Sequence, residues 1–177
     1  TARLQILEMS RSLGVHTSRL VDISDAVVRE NRGGSWIPIG TGFRVLPIYS
    51  DHAPHFNGLT MFQGQREVEP PAPRASVEWL EGETVAWLID VLNADGETGM
   101  RIYYQDAVAQ GPFGMLPPDS VVGDTLPVDA AILVPATFAE ADWHPEMILE
   151  STQPGHVLLG HWEDFFQPMS LTPERSK

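Results

Sequence analysis

Three stretches of this sequence set an imidazole or a carboxylate directly after an apolar run. Ser50-Asp51-His52-Ala53-Pro54-His55-Phe56 follows a run ending at Tyr49, Asp106 follows Arg101-Ile102-Tyr103-Tyr104-Gln105, and His161-Trp162-Glu163-Asp164 follows Val157-Leu158-Leu159-Gly160. Each run reads as a β-strand, and in layered α/β folds strand ends converge on an edge where distant residues share one site. Imidazole plus carboxylate is the ligand set that zinc, manganese or iron accepts where thiolate is missing. Cys 0 removes cysteine-ligated zinc, iron–sulfur clusters, thiol nucleophiles and CxxC redox chemistry together. Taken singly, each placement has a plainer explanation. A carboxylate at a strand end is commonly a turn former. His52 and His55 flank Pro54 rather than sharing a helix face, and His161 beside Trp162 fits a hydrogen-bonded core histidine. The repetition at three successive strand ends is what favours a shared metal site.

Composition frames that chemistry. With 177 residues the chain suits one domain, 1–177, whose core needs no disulfide. Lys+Arg 11 against Asp+Glu 24 gives a net charge of −13, which works against nucleic-acid binding, because such binding is driven by Lys and Arg displacing counterions. No apolar run approaches the roughly 20 residues that cross a bilayer, so a soluble chain with no membrane partner is expected. No targeting segment is legible at Thr1-Ala2-Arg3-Leu4, which leaves localisation open, with only a slight leaning to the cytoplasm. Gly 15 and Pro 15 exceed the average combined share of about 12%, which argues for turns and functional loops over a helical bundle.

The elements that must position the three strand ends follow from periodicity and turn residues. Mixed i+3 and i+4 spacing predicts a helix over Ala2–Leu13, stopped by Gly14. Trp36–Ile39 and Phe43–Tyr49 form a hairpin across Gly40-Thr41-Gly42. Ser76–Leu80 and Thr84–Leu92 read as strands around Glu81-Gly82-Glu83, and Asn93-Ala94-Asp95-Gly96 turns into a strand over Met100–Gln105. Gln110–Asp124 reads as a long loop. Val128–Val134 is a buried strand, Trp143–Ser151 a short helix with Pro145 in its first turn, and His156–Gly160 a second buried strand. That strand–helix–strand order suits a parallel crossover in a layered α/β or α+β domain. Leu171–Lys177 reads as a frayed tail. His144-Pro145-Glu146 reads as a helix cap, and adjacent Tyr103 and Tyr104 must point to opposite sheet faces.

The series Pro47-Ile48-Tyr49-Ser50-Asp51-His52-Ala53-Pro54-His55-Phe56, Arg101-Ile102-Tyr103-Tyr104-Gln105-Asp106-Ala107 and Leu159-Gly160-His161-Trp162-Glu163-Asp164-Phe165-Phe166 resembles the later half of metallo-β-lactamase-fold hydrolases. The likeness runs from about Trp36 to Gln167, and its most specific part is the closing GHWEDFF string. It implies an αββα sandwich, of which this chain is the second half with part of the first. One or two divalent metals, usually zinc, would be held at the sheet edge and would activate a water to hydrolyse a small-molecule substrate. The resemblance assigns His52, Asp106 and His161 as metal ligands, Asp106 bridging two ions as the catalytic carboxylate. Asp51, Glu163 and Asp164 are then candidates to accept the other ring N–H of a ligand histidine, and His55 to touch substrate. The superfamily's early HxHxDH motif does not occur here, and none of the six histidines forms an HxH pair. The resemblance therefore implies the C-terminal portion of a longer hydrolase, inactive in isolation, that pairs with a missing N-terminal half or with itself. The rival reading is a non-catalytic interaction domain that retains the scaffold without a metal. The fold's many chemistries leave the substrate open.

Overall fold

The computed structural model describes residues 9–30, 32–52, 54, 59–64, 75, 78–135 and 138–160. The described residues are mixed α/β and are built on a six-stranded sheet. The strands are β1 (Ile37–Ile39), β2 (Phe43–Ser50), β3 (Thr84–Leu92), β4 (Thr98–Gln105), β5 (Ala130–Leu133) and β6 (His156–Leu159). Two short helices, α1 (Asp119–Val122) and α2 (Glu146–Thr152), cross from β4 to β5 and from β5 to β6. The spatial order follows the sequence, with β1 to β4 antiparallel and β4 to β6 parallel.

Turn chemistry sets the antiparallel half. The predicted hairpin forms across Gly40, which takes the left-handed φ of 63° that an L side chain resists, and pairs Ile39 with Phe43 and Ile37 with Val45. At the β3–β4 turn the Asn93 N–H donates to Glu97 O at 2.8 Å and the Gly96 N–H to Asn93 O at 3.0 Å. The parallel half needs crossovers, and the expected strand–helix–strand unit supplies one.

Period-2 alternation gives the sheet two unlike faces. On the inner face Leu46, Ile48, Ala86, Leu88, Tyr103, Ala131 and Leu133 form a buried cluster with Val28, Val122 of α1 and Ile148 of α2. Each fully buried Leu contributes about 1.5–3 kcal/mol relative to exposure, so this layer dominates the fold's stability. The outer face carries Val45, Trp87, Ile89, Ile102 and Ile132 half-buried, with Phe43, Met100 and Leu158 exposed. No Asp, Glu, Lys or Arg occupies an outward strand position in the paired registers from Phe43 through Leu158.

The same inner face carries a buried ion network at its far end. Arg101, 2% exposed, donates from Nε to Asp90 Oδ1 at 2.7 Å and from Nη1 to Asp124 Oδ1 at 2.6 Å. Asp90 also accepts from Arg44 Nε at 2.8 Å and from Thr98 Oγ1 at 3.0 Å. Burial would raise the Asp90 pKa, but the bonds from Arg101 and Arg44 outweigh it and hold the carboxyl below its ordinary range.

Four expectations are corrected. The described part of Ser76–Leu80 is not a strand: Glu78 N–H turns back to Ala75 O, and the following Glu81 and Gly82 N–H groups donate to Phe62 and Gly64 carbonyls instead of a sheet neighbour. The Gln110–Asp124 loop contains the turn α1, ended by Gly123 at a left-handed φ of 96°. The last strand is exposed at all four positions, because it is the sheet's outermost strand and its partner β5 covers one edge only. His144 does not cap α2, whose N-cap is Pro145 with no side-chain bond; the imidazole is buried against Val134 O at 3.4 Å. Residues 9–12 are helical, and the rest of the predicted first helix, like the Leu171–Lys177 tail, lies outside the described residues.

Candidate functional site

Strand direction decides where the candidate residues meet. β2 and β4 both run opposite to β3, and β5 and β6 run parallel to β4, so the carboxyl ends of β2, β4, β5 and β6 share one sheet edge. Asp51 and His52 leave β2 there, Asp106 leaves β4, and Gly160 leaves β6 with its N–H bonded to Leu133 O at 2.9 Å. The described starts of the first two stretches, Asp51–His52 and Asp106, therefore lie on the same edge as the end of β6. His55, His161, Glu163 and Asp164 lie outside the described residues.

A buried polar layer holds this edge from beneath. Gln105 Nε2 donates to Ser50 Oγ at 3.0 Å, linking the last residues of β4 and β2. Tyr103 donates its hydroxyl to Gly114 O, and the Gly114 N–H donates to Tyr49 O at 3.0 Å, which pins the loop after β4 onto the edge. Gly114 has a left-handed φ of +79°, and a Cβ there would stand 2.5 Å from Gln105 Nε2, so only glycine fits. Gln105 is 1% exposed, and its Oε1 has no hydrogen-bond partner among the described residues. Ser50 and Gln105 stand in the stretches singled out in the sequence, but no spacing or motif gave them or Gly114 this role, since their meeting depends on strand register.

Above that layer the polar groups sort by face. Tyr103 is buried inward and Tyr104 points outward, as the strand period requires. Burial, then the charge and hydrogen bond of Asp106, push the Tyr104 hydroxyl pKa upward, so Tyr104 and Asp106 are in contact. Asp106 is solvent-exposed and His52 half-buried. Asp51 Oδ1 accepts the His52 backbone N–H at 2.8 Å, a local turn bond that fixes the chain leaving β2. Tyr49 is likewise raised, by burial first and then by the charges of Asp51 and Glu83, with Arg29 opposing. At the end of β5, burial lowers the His144 pKa, which keeps that ring neutral beneath Val134.

The donor chemistry at this edge, the His52 imidazole with the half-buried Asp51 and the exposed Asp106 carboxylates, is of the kind that divalent metals accept. Among the described residues no three His, Asp or Glu side chains come close enough together to hold an ion. His52 and Asp106 are thus two strand-end donors on one edge, and the third expected ligand follows β6. No protein-family model, no curated protein and no solved structure matches the chain.

Proposed function

We propose that the chain belongs to a metal-dependent hydrolase of the metallo-β-lactamase type, with its site on the carboxyl edge of the sheet. The observation that supports this reading is the common direction of β2, β4 and β6, which puts His52, Asp106 and the carboxyl end of β6, which His161 follows in the sequence, toward one edge. These three residues would hold the ion. When bound, a divalent metal supplies a Lewis acid and a water activated near neutral pH. Asp51 orders the turn that presents His52, while Glu163, Asp164 and His55 are the candidates to orient ligand rings or substrate. The Ser50–Gln105 and Tyr103–Gly114 bonds fix the edge from below, which is the support a ligand set requires. The uncharged outer face is where the other sheet of an αββα sandwich would pack.

Calorimetric titration with zinc tests the reading. The chain should bind weakly and turn over negligibly, since three ligands only partly fill an ion's shell, and His161→Ala should weaken binding at least about tenfold. Equal zinc affinity in the chain and in His52→Ala, Asp106→Asn and His161→Ala would remove the edge from consideration. A second reading, a non-catalytic interaction domain, draws on the same apolar outer face, which is the character of a protein-contact surface. Absence of saturable zinc binding would favour it.

A further inference from the structure

A cavity of about 420 Å³ opens between residues 28–30, 32–33 and the loop 112–121, on the side of β2 away from β3. Its walls are mainly apolar, with Val28, Ile48, Met115 and Val121 lining it. Tyr49 and Phe113 meet edge to face at its rim, their ring centroids 5.6 Å apart. That volume and lining match the usual small-molecule site, a concave apolar surface with a few polar groups to fix orientation.

The polar groups are unusual for this chain. Although acids outnumber bases 24 to 11 overall, the cavity is lined by Arg29 and Arg32 against the single acid Glu30. Arg29 is already committed: its Nη2 donates to both Glu83 oxygens at 2.7 and 2.6 Å, and its guanidinium lies 4.8 Å from the Tyr49 ring centroid. Arg32 is differently placed. Its Nη2 donates to Ser24 O at 2.9 Å, and its ion pair with the fully exposed Asp25 is long, at 3.8 Å. An exposed pair of that length contributes little, so the remaining guanidinium N–H groups can turn to a ligand without sacrificing a strong bond.

We propose that this cavity binds a small monoanionic organic acid, its apolar body on Val28, Ile48, Met115 and Val121 and its carboxylate on Arg32. The planar guanidinium fork matches a carboxylate. The chain as a whole carries a net charge of −13, which penalises a second negative charge on the ligand, so a monoanion is favoured over a dianion. The site rests on its own lining and not on the metal edge, so each proposal can fail alone.

Octanoate and octan-1-ol, titrated separately into the chain and followed by amide chemical shifts, provide the test. Octanoate should saturate with shifts concentrated at residues 28–33 and 112–121, and octan-1-ol should bind at least about tenfold more weakly, since it lacks the charge-assisted bond. Arg32→Ala should lower octanoate affinity by a similar factor and leave octan-1-ol unchanged, while Arg32→Lys keeps part of the preference. Arg32 is exposed, so its variants should retain the parent's thermal transition. No saturable octanoate binding, equal affinity for acid and alcohol, or an Arg32→Ala variant that still prefers octanoate would each overturn the proposal.

Discussion

Replacing Arg101 by Met is the sharpest probe of how the sheet is held behind the site. The guanidinium is 2% exposed and makes two bonds to Asp90, at 2.7 and 2.9 Å, and two to Asp124, at 2.6 and 3.0 Å. Methionine fills much of the same volume but leaves the Asp90 carboxylate, 0% exposed, with Arg44 and Thr98 as its bonded partners. Breaking a buried pair in this way costs about 3–5 kcal/mol, and the surviving Arg44 bonds place the loss at the lower end, about 3 kcal/mol. Asp124→Asn should cost about 1 kcal/mol, since that carboxylate is 29% exposed and partly screened. Asp90→Asn should fall between, at about 2 kcal/mol, because Arg101 keeps Asp124. Urea unfolding of the three variants and of the Asp90→Asn/Arg101→Met pair gives both the individual losses and their coupling. The double variant should lose less than the sum of the singles by about 1–2 kcal/mol. A loss below about 1 kcal/mol for Arg101→Met, or strict additivity, would refute the claim that this network is a buried, mutually dependent unit.

Three further outcomes follow from the same geometry. Gly114→Ala forces a Cβ against Gln105 Nε2 at a left-handed φ, so it should lower stability by about 1–3 kcal/mol in urea unfolding. Gln153 ends α2 at a left-handed φ of 41°, so Gln153→Gly should raise the thermal midpoint, by a stability gain of about 0.5–1 kcal/mol. Asp90 is held below its ordinary pKa by arginine bonds that outweigh burial, and Asp124 mainly by its bond to Arg101. The unfolded chain therefore binds these protons first as pH falls. The stabilisation is present above the unfolded value of about 3.9 and is lost as pH falls through the lower folded values. Urea midpoints measured across that range should decline, and Asp90→Asn should decline less steeply.

Much of the sheet was legible because its local signals agree. Gly40-Thr41-Gly42 between two β-branched runs specifies a hairpin, Asn93 to Gly96 specifies the next turn, and the apolar stretch at Val128–Val134 followed by a helix specifies a crossover. Element order also made legible that the carboxyl ends of β2, β4 and β6, after which the candidate residues come in the sequence, share one edge. The interior of the candidate site was not legible. Ser50 meets Gln105, and Arg101 meets Asp90, only through the register of β2, β3 and β4, which no local pattern encodes. Ser76–Leu80 reads as a strand by composition, but in its described part the Glu78 N–H bonds back to Ala75 O in a local turn and no sheet strand forms. Apolar content alone made β6 look buried, whereas its place at the end of the sheet order exposes it.

Manganese-induced broadening of backbone amide signals tests the central claim, that the carboxyl edge of this sheet is a metal site. At substoichiometric manganese, broadening should be selective for residues 51–52, 106 and 160, the ends of β2, β4 and β6, and should be lost in Asp106→Asn. Broadening spread over acidic surface positions such as Asp95, Glu97 and Asp142, with the strand ends unaffected, would contradict it.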